Sequence, residues 1–243
     1  MPLLVGTGVT KRFHGLPALK EVDFTLEKGE ILGLIGPNGA GKTTLFNVIS
    51  GFYSPTSGTV KYNEKTIHNL KPHQVCRLGI ARTFQVVNPF LNITVLENAT
   101  AGSLFGKVRN IRIEEANDKA LSCLKFVNLD DRKDDLAKNL NIVERKRLEI
   151  ARALATEPKV LLLDEPLSGL NPTEIMNACK LVRRIRDDLD ITIFWIEHVM
   201  KAVMCTAERL IVLDSGEKIA EGKPEEVSGN KRVIEAYLGE ERA

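Results

Sequence analysis

The feature that most constrains the fold is the run Gly36-Pro37-Asn38-Gly39-Ala40-Gly41-Lys42-Thr43, which matches the pattern GxxxxGK[ST] in full. It follows the apolar run 30–35, which is typical of a strand buried on both faces, and it precedes a predicted helix from Thr43 to Ile49. Glycines let backbone N–H groups converge on phosphate oxygens, and the start of the helix directs its positive end toward them. A glycine-rich turn that occurs by chance need not lie between a strand and a helix. The run in this position therefore predicts a nucleoside triphosphate site.

Two side chains of this loop have specific predicted roles. We expect Lys42 to reach the β- and γ-phosphates and the Thr43 hydroxyl to ligate Mg²⁺, with Thr44 completing the nucleotide-binding set. A second feature, the strand-like run Val160 to Leu163, ends in Asp164 and Glu165. Strand alternation would turn these carboxylates to different sides, so that Asp164 holds Mg²⁺ through water and Glu165 orients the attacking water. The alternative is an acidic pair that faces solvent.

Composition excludes several classes of protein. The 34 basic and 32 acidic residues give a formal net charge of +2, which does not predict nucleic-acid binding. The four cysteines form no CxxC pair, so we expect reduced, mostly buried thiols and neither disulfides nor a zinc site. No secretory signal is evident, and no window approaches the ~18–20 apolar residues that span a bilayer. Any membrane role is therefore expected to come through a partner.

The remaining sequence indicates alternating strands and helices. From about residue 86 to 155 the pattern is helical, interrupted by the charged run 130–135, which we expect to be a solvated loop. The run 191–196 predicts a further buried strand, with Trp195 in the core. The runs 210–213 and 218–220 flank Asp214-Ser215-Gly216-Glu217, which predicts a hairpin.

Beyond the phosphate loop, several motifs resemble those of ABC ATPases. Asp164-Glu165-Pro166 followed by residues 167–172 resembles their Walker B and D-loop region. The resemblance implies that His198 is the switch histidine and Gln85 the Q-loop glutamine, a catalytic residue and Mg²⁺ ligand. It also implies that Phe13 stacks on adenine.

The resemblance covers almost the whole chain and implies an α/β fold. This is the P-loop NTPase fold of the ABC ATPase type, with a mixed-sheet nucleotide-binding core, an antiparallel β subdomain and an inserted helical subdomain. We expect residues 1–243 to form a single domain with 86–155 as the insertion. The implied reaction is hydrolysis of MgATP coupled to transport.

Finer motifs resemble the ATP-binding subunits of branched-chain amino acid importers. They are Arg82-Thr83-Phe84-Gln85, the run 92–98 and the C-terminal segments 222–227 and 233–240. The implied cargo is branched-chain amino acids or similar small polar molecules, since related subunits that move urea or other small amides look alike. The implied partners are a second ATPase subunit, identical or different and packed head to tail, two transmembrane permeases and a periplasmic solute-binding protein. The chain would then lie peripherally on the cytoplasmic face of the inner membrane.

One motif departs from the family pattern. ABC ATPases carry a signature resembling Leu-Ser-Gly-Gly-Gln that contacts the γ-phosphate held by the other subunit, and the aligned stretch here is Leu140-Asn141-Ile142-Val143-Glu144. Asn141 and Glu144 still predict a capping pair for the following helix. Ile142 and Val143 cannot approach phosphate as glycines do, and Glu144 adds a negative charge.

Three alternative functions remain open on the sequence. A phosphate-loop kinase would explain Lys42 and Asp164 but not Glu165, His198 or the helical insertion. A soluble ABC protein of DNA repair or translation would be expected to carry long coiled coils or two cassettes. A regulatory module that binds ATP without turnover is supported by the altered signature alone.

Overall fold

The computed structural model of the protein describes residues 2–106 and 111–240. The strands in these ranges are β1 (Leu4–Phe13), β2 (Leu16–Leu26), β3 (Ile31–Ile35), β4 (Ser57–Tyr62), β5 (Lys65–Thr66), β6 (Ile80–Arg82), β7 (Val160–Asp164), β8 (Thr192–Ile196), β9 (Arg209–Asp214) and β10 (Glu217–Gly222). The α-helices are α1 (Lys42–Ile49), α2 (Pro72–Arg77), α3 (Val95–Gly106), α4 (Ile113–Phe126), α5 (Ile142–Ala155), α6 (Pro172–Leu189), α7 (Met200–Thr206), α8 (Pro224–Ser228) and α9 (Lys231–Glu240). Short 3₁₀ turns cover Asp130–Arg132 and Ala137–Asn139.

The chain divides into two compact units, which are described separately below. The first consists of Met1–Pro72 with Val182–Ala243, and the second of His73–Leu181. The predicted helical region 86–155 falls inside the second unit, which also contains strands β6 and β7.

The first unit contains an antiparallel sheet and a mixed sheet. Strands β2, β1, β4 and β5 form the antiparallel sheet in that order. In the other sheet, β3 runs parallel to both β8 and β9, while β10 pairs antiparallel with β9 through the predicted hairpin. Every residue of β3 and β8 is buried, as expected for strands covered on both faces.

Aromatic side chains fill the core of the first unit. Phe194 of β8 lies 5.1 Å from Phe46 of α1 and 5.7 Å from Phe24 of β2, measured between ring centroids. Trp195 is fully buried, which confirms its predicted place in the core. The edge-to-face geometry of the Phe46–Phe194 pair adds to the stabilisation that burial provides.

In the second unit, helices α3, α4 and α5 pack against one another, and β6 pairs parallel with β7. The charged run 130–135 is a surface loop, yet it also has a structural role. The carbonyl oxygens of Lys133 and Asp135 accept hydrogen bonds from the N–H groups of Leu96 and Val95, at the start of α3. The loop therefore satisfies two backbone donors that a helix N-terminus leaves without a partner.

Two further sequence predictions concern cysteines and membrane spans. The cysteines are free, as expected, but Cys76, Cys123 and Cys179 are only partly buried and Cys205 is exposed. Each of the four lies in a helix, and burial was overestimated because residue type alone does not indicate which side of a helix a side chain occupies. Across residues 2–106 and 111–240, none of the helices has the length and apolar character that crossing a bilayer requires.

Candidate active site

The phosphate-binding loop of the first unit joins β3 to α1. Lys42, 5 % exposed, directs its ammonium group back into the loop and donates hydrogen bonds to the carbonyl oxygens of Gly36 (2.6 Å) and Pro37 (2.8 Å). The N–H of Ala40 bonds to the Pro37 carbonyl at 3.2 Å, so that the loop curls around the lysine. This places the positive charge inside a ring of backbone groups, as anion binding requires.

Two glycines of the loop have no possible substitute. Gly36 has φ 147°, and a Cβ atom there would lie 2.0 Å from the carbonyl oxygen of Leu213. Gly41 caps α1 with φ 100°, and its Cβ atom would lie 2.6 Å from the carbonyl oxygen of Ala18. The loop therefore depends on glycine both for backbone conformation and for close packing.

The β9–β10 hairpin supports the other side of the loop. Gly216 donates its N–H to the carbonyl oxygen of Ala40 at 3.1 Å and accepts a hydrogen bond from the N–H of Lys20 at 2.8 Å. The predicted hairpin thus links the phosphate loop to strand β2. Within the loop, Asn38 and Gly39 are exposed, as is Thr43 at the first turn of α1, while Thr44 is partly buried.

The predicted adenine-stacking residue, Phe13, lies at the end of β1 and is 36 % exposed. Its ring meets Tyr53 edge to face, with centroids 5.2 Å apart. The ammonium group of Lys11 lies 5.2 Å from the centre of the Phe13 ring and 5.4 Å from that of Tyr53. An exposed aromatic ring held by two neighbours can present a flat apolar face to a base.

The predicted switch histidine lies directly after β8. The carboxylate of Glu197, which is fully buried, accepts hydrogen bonds from the backbone N–H groups of His198 (3.1 Å) and Val199 (3.3 Å). The His198 side chain is exposed. Glu197 therefore fixes the backbone from which the imidazole projects.

In the second unit, Asp164 ends β7 and pairs with Arg82 at the end of β6. The Arg82 Nη2 to Asp164 Oδ2 distance is 2.7 Å, and both side chains are buried, at 6 % and 1 % exposure. The other oxygen, Oδ1, is buried without a hydrogen-bond partner among the residues that the structure describes. A carboxylate oxygen in this condition fits a hard cation such as Mg²⁺, either directly or through water.

Glu165 adopts a conformation that strand alternation does not predict. The strand ends at Asp164, and Glu165 has φ 49°, in the left-handed region. The two carboxylates do have different partners, as expected, but the turn after the strand causes this and alternation does not. Glu165 is 6 % exposed, and its Oε2 accepts a hydrogen bond of 2.7 Å from Nε2 of Gln85. The predicted catalytic carboxylate and the Q-loop glutamine are thus in contact.

The altered signature forms the start of α5, where the predicted capping pair is confirmed. Asn141 Oδ1 accepts from the N–H of Glu144 at 3.0 Å, and Glu144 Oε2 accepts from the N–H of Asn141 at 2.8 Å. The second oxygen of Glu144 pairs with Arg132 at 2.7 Å. Ile142 is 51 % exposed. The start of α5 is therefore capped by the carboxylate of Glu144, and Arg132 of the charged loop balances the negative charge of that carboxylate.

Sequence reasoning missed three side chains next to this site. Arg82 pairs with Asp164, Glu149 of α5 accepts from the N–H of Phe84 at 2.7 Å, and Lys146 of α5 donates to the carbonyl oxygen of Pro166 at 2.9 Å. Burial raises the pKa of Glu149 to about 7, although the charges of Arg152 and Lys146 oppose the shift. Nothing in the local sequence singles out Arg82, Glu149 or Lys146 for these contacts.

The predicted site residues divide between the two units. Phe13, the phosphate loop and His198 belong to the first unit, while Gln85, Asp164 and Glu165 belong to the second. The first unit thus contains a cationic, amide-lined loop with an aromatic ring and an imidazole, and the second contains two differently held carboxylates with an amide.

Two family models match the sequence. Residues 19–168 match the ABC transporter family, and residues 217–243 match the branched-chain amino acid ATP-binding cassette transporter family. Among curated proteins, the chain is 41% identical over 251 residues to the high-affinity branched-chain amino acid transport ATP-binding protein LivG of Salmonella typhimurium, covering 98% of each chain. It is 39% identical to the corresponding protein BraF of Pseudomonas aeruginosa, again covering 98% of each.

Solved structures show the same fold. An ATP-binding cassette of an ABC transporter in its ADP conformation superposes with a TM-score of 0.90 at 35% identity, covering 98% of this chain and 99% of that one. A dimeric cassette in a post-hydrolysis state bound to ADP and Pi gives a TM-score of 0.82 at 28% identity, covering 91% of this chain and 98% of that one. With a phosphate loop, paired carboxylates and similarity along nearly its full length, this chain belongs to the ABC transporter family, as an ATP-binding subunit that hydrolyses ATP.

Proposed function

We propose that this chain powers the import of branched-chain amino acids. The observation that carries the proposal is the similarity to LivG and BraF over 98% of the chain, together with the match of residues 217–243 to the branched-chain amino acid cassette family. A match that includes the C-terminal segment favours this cargo over urea and other small amides.

The residue roles are part of the same proposal. The amide groups of the phosphate loop and the Lys42 ammonium bind the β- and γ-phosphates, and Phe13 stacks on the adenine. Glu165 accepts a proton from the attacking water while Gln85 holds the carboxylate in place, a role that the 2.7 Å hydrogen bond supports. His198 contacts the γ-phosphate from a backbone that Glu197 fixes.

Thr43, Gln85 and Asp164 supply the oxygens suited to Mg²⁺. The buried Oδ1 of Asp164, the exposed hydroxyl of Thr43 and the side-chain amide of Gln85 are hard oxygen donors of the kind this cation prefers. When bound, Mg²⁺ neutralises charge on the phosphates. Arg82, whose Nη2 lies 2.7 Å from the other oxygen, orients the Asp164 carboxylate for this purpose.

The proposed assembly contains more than one polypeptide. A second ATPase subunit packs head to tail with this chain, and the existence of a dimeric cassette of similar fold supports that arrangement. Two permeases span the membrane, a periplasmic solute-binding protein delivers cargo, and this chain lies on the cytoplasmic face of the inner membrane. The names of the relatives, which are transport ATP-binding proteins, support a peripheral role of this kind.

Cargo is tested by isolating the transporter through a tag on this chain and reconstituting it in vesicles. With ATP enclosed in vesicles on the side of this chain, and the solute-binding protein added outside, we expect labelled leucine, isoleucine and valine to accumulate and to compete with one another. Urea and acetamide should neither accumulate nor compete. Uptake of the amides without uptake of the three amino acids would contradict the proposed cargo.

A further inference from the structure

Two polar side chains of α5 reach the two loops that carry the proposed catalytic groups. Lys146 and Glu149 are three residues apart, so they lie on the same face of the helix one turn from each other. Neither belongs to the phosphate loop, the Walker B strand or the altered signature. Both lie in the second unit, together with Gln85 and Glu165.

Glu149 holds the loop before Gln85. Its Oε1 accepts a hydrogen bond of 2.7 Å from the backbone N–H of Phe84, the residue that directly precedes Gln85. Phe84 itself is 43 % exposed, and Arg82 lies over its ring at 5.1 Å, so the segment has little apolar burial of its own. The hydrogen bond from Glu149 is therefore a principal restraint on where the Gln85 backbone sits.

Lys146 holds the loop after Glu165. Its ammonium group donates a hydrogen bond of 2.9 Å to the carbonyl oxygen of Pro166, and the side chain is only 8 % exposed. A buried hydrogen bond from a charged donor is stronger than a neutral one. Because Pro166 directly follows Glu165, this contact restrains the turn that gives Glu165 its left-handed backbone.

These contacts are direct and closely packed. A cavity of about 10 Å³ remains between Thr83, Phe84, Val87, Lys146, Glu149, Ile150 and Pro166. This is at the lower limit of the space that one water molecule needs, in keeping with hydrogen bonds made directly between protein groups. The hydrogen bond between Gln85 and Glu165 connects the two loops that Glu149 and Lys146 restrain.

We propose that Glu149 and Lys146 are positioning residues that set the relative placement of Gln85 and Glu165 from one face of α5. The inference rests on the catalytic roles proposed for Gln85 and Glu165. It adds that the helix beginning at the altered signature also determines the geometry of this chain's own catalytic pair.

The test compares Glu149→Leu with Glu149→Gln in the full-length chain. Glutamine keeps an acceptor oxygen for the Phe84 N–H, whereas leucine removes it. We expect Glu149→Leu to lower kcat about tenfold or more, because small displacements of reacting groups have effects of this size. KM for ATP and the affinity for a fluorescent ATP analogue should stay within about twofold, and Glu149→Gln should recover most of the rate.

A second pair tests the other contact, and hydrogen exchange gives a readout that does not depend on activity. Lys146→Met should slow turnover more than Lys146→Arg, which retains a donor for the Pro166 carbonyl. Amide exchange in the segment 80–90 should accelerate in Glu149→Leu but not in Glu149→Gln. Arg147→Leu is the matched control on the same helix, since its contact is with the Asn128 carbonyl oxygen and not with either loop.

Gln85→Ala separates failure of this inference from failure of the proposed roles. If Glu149 acts through Gln85, adding Glu149→Leu to Gln85→Ala should lower kcat little further. If Gln85→Ala slows turnover while Glu149→Leu does not, or if the two effects multiply, the positioning inference is contradicted and the role of Gln85 stands. If Gln85→Ala leaves kcat unchanged, both are contradicted.

Discussion

At the scale of single residues, we expect Lys42 to dominate the binding of the phosphates. Its ammonium group lies against two loop carbonyl oxygens, 2.6 and 2.8 Å away, so its position is fixed by the same backbone that binds the nucleotide. Lys42→Ala removes the only charge that the loop itself supplies. We expect the affinity for MgATP to fall by ~2 kcal/mol or more, about 30-fold, as measured by calorimetry.

The control for this change is Lys61→Ala, which removes an exposed lysine of β4 in the same unit. Its affinity for MgATP should equal that of the wild type. Equal affinities for Lys42→Ala and the wild type would show that the nucleotide does not bind at this loop.

Glu165 is the residue on which we expect turnover to depend. Glu165→Gln keeps the size of the side chain but removes the proton acceptor, so ATP binding should persist while steady-state phosphate release falls ~10²-fold or more. Glu235→Gln, an exposed change on α9, should leave the rate unchanged. Unaltered phosphate release by Glu165→Gln would rule out its role as the base.

The local structure around the candidate site residues was predictable where a motif fixes the neighbouring backbone, and their roles stay predictions. The phosphate loop, Asp164 and Glu165 could be singled out because local sequence indicates the turn or strand end on which each lies, whereas Gln85 was singled out only by the resemblance of its motif. Arg82 and Asp164 are 82 residues apart in the sequence, and Glu149 and Phe84 are 65 apart. No local sequence pattern therefore predicts either contact. The left-handed backbone conformation of Glu165 was not predicted. Side chains alternate between faces only within a strand, and Glu165 lies after the end of β7.

At the scale of elements, helix α5 should make stability depend on pH through Glu149. Burial raises the pKa of this carboxyl to about 7 from 4.5, with Asp164 adding to the shift and Arg152 and Lys146 opposing it. Between these values the folded state retains a proton that the unfolded state releases. The stabilisation that the retained proton provides is therefore fully present below pH 4.5 and is lost as pH rises through 7.

The side chain of Glu149→Gln cannot release a proton, so this variant does not lose stability through this group as pH rises. Urea unfolding at pH 5 and pH 8 should show the free energy of unfolding of the variant rising relative to the wild type by up to about 3 kcal/mol. A difference that stays constant between the two pH values would contradict the raised pKa. Glu235→Gln should give a constant difference, as a control for the loss of an exposed charge.

Only part of the secondary structure was predictable. Strands β3, β7 and β8 and the β9–β10 hairpin lie within one or two residues of their expected ranges, since continuous apolar runs bounded by turn residues determine them. The contacts of the 130–135 loop with the start of α3 were not predictable, because they use backbone carbonyl groups that any residue has.

At the scale of the whole molecule, the altered signature predicts unequal roles for two paired chains. Lys42, Asp164, Glu165 and His198 are retained, whereas the start of α5 presents the exposed Ile142 and a carboxylate already paired with Arg132. A site completed by this helix should therefore hydrolyse ATP slowly. A chain paired with itself would carry the defect in both sites.

The test restores the family pattern with Asn141→Ser, Ile142→Gly, Val143→Gly and Glu144→Gln together. Donors aimed at developing charge contribute about 10²- to 10³-fold, so the ATPase rate of the purified chain should rise clearly. The unfolding midpoint and the ATP affinity serve as controls for folding. An unchanged rate with both controls intact would mean that the native helix start supports hydrolysis fully.

The central claim is that ATP hydrolysis by this chain drives uptake of branched-chain amino acids. Its most direct test is the accumulation of labelled leucine in vesicles that contain the tagged transporter, with either the wild-type chain or Glu165→Gln. We predict ATP-dependent accumulation with the wild type, and none above the ATP-free level with Glu165→Gln, although both bind ATP. Equal accumulation with both chains would contradict the claim.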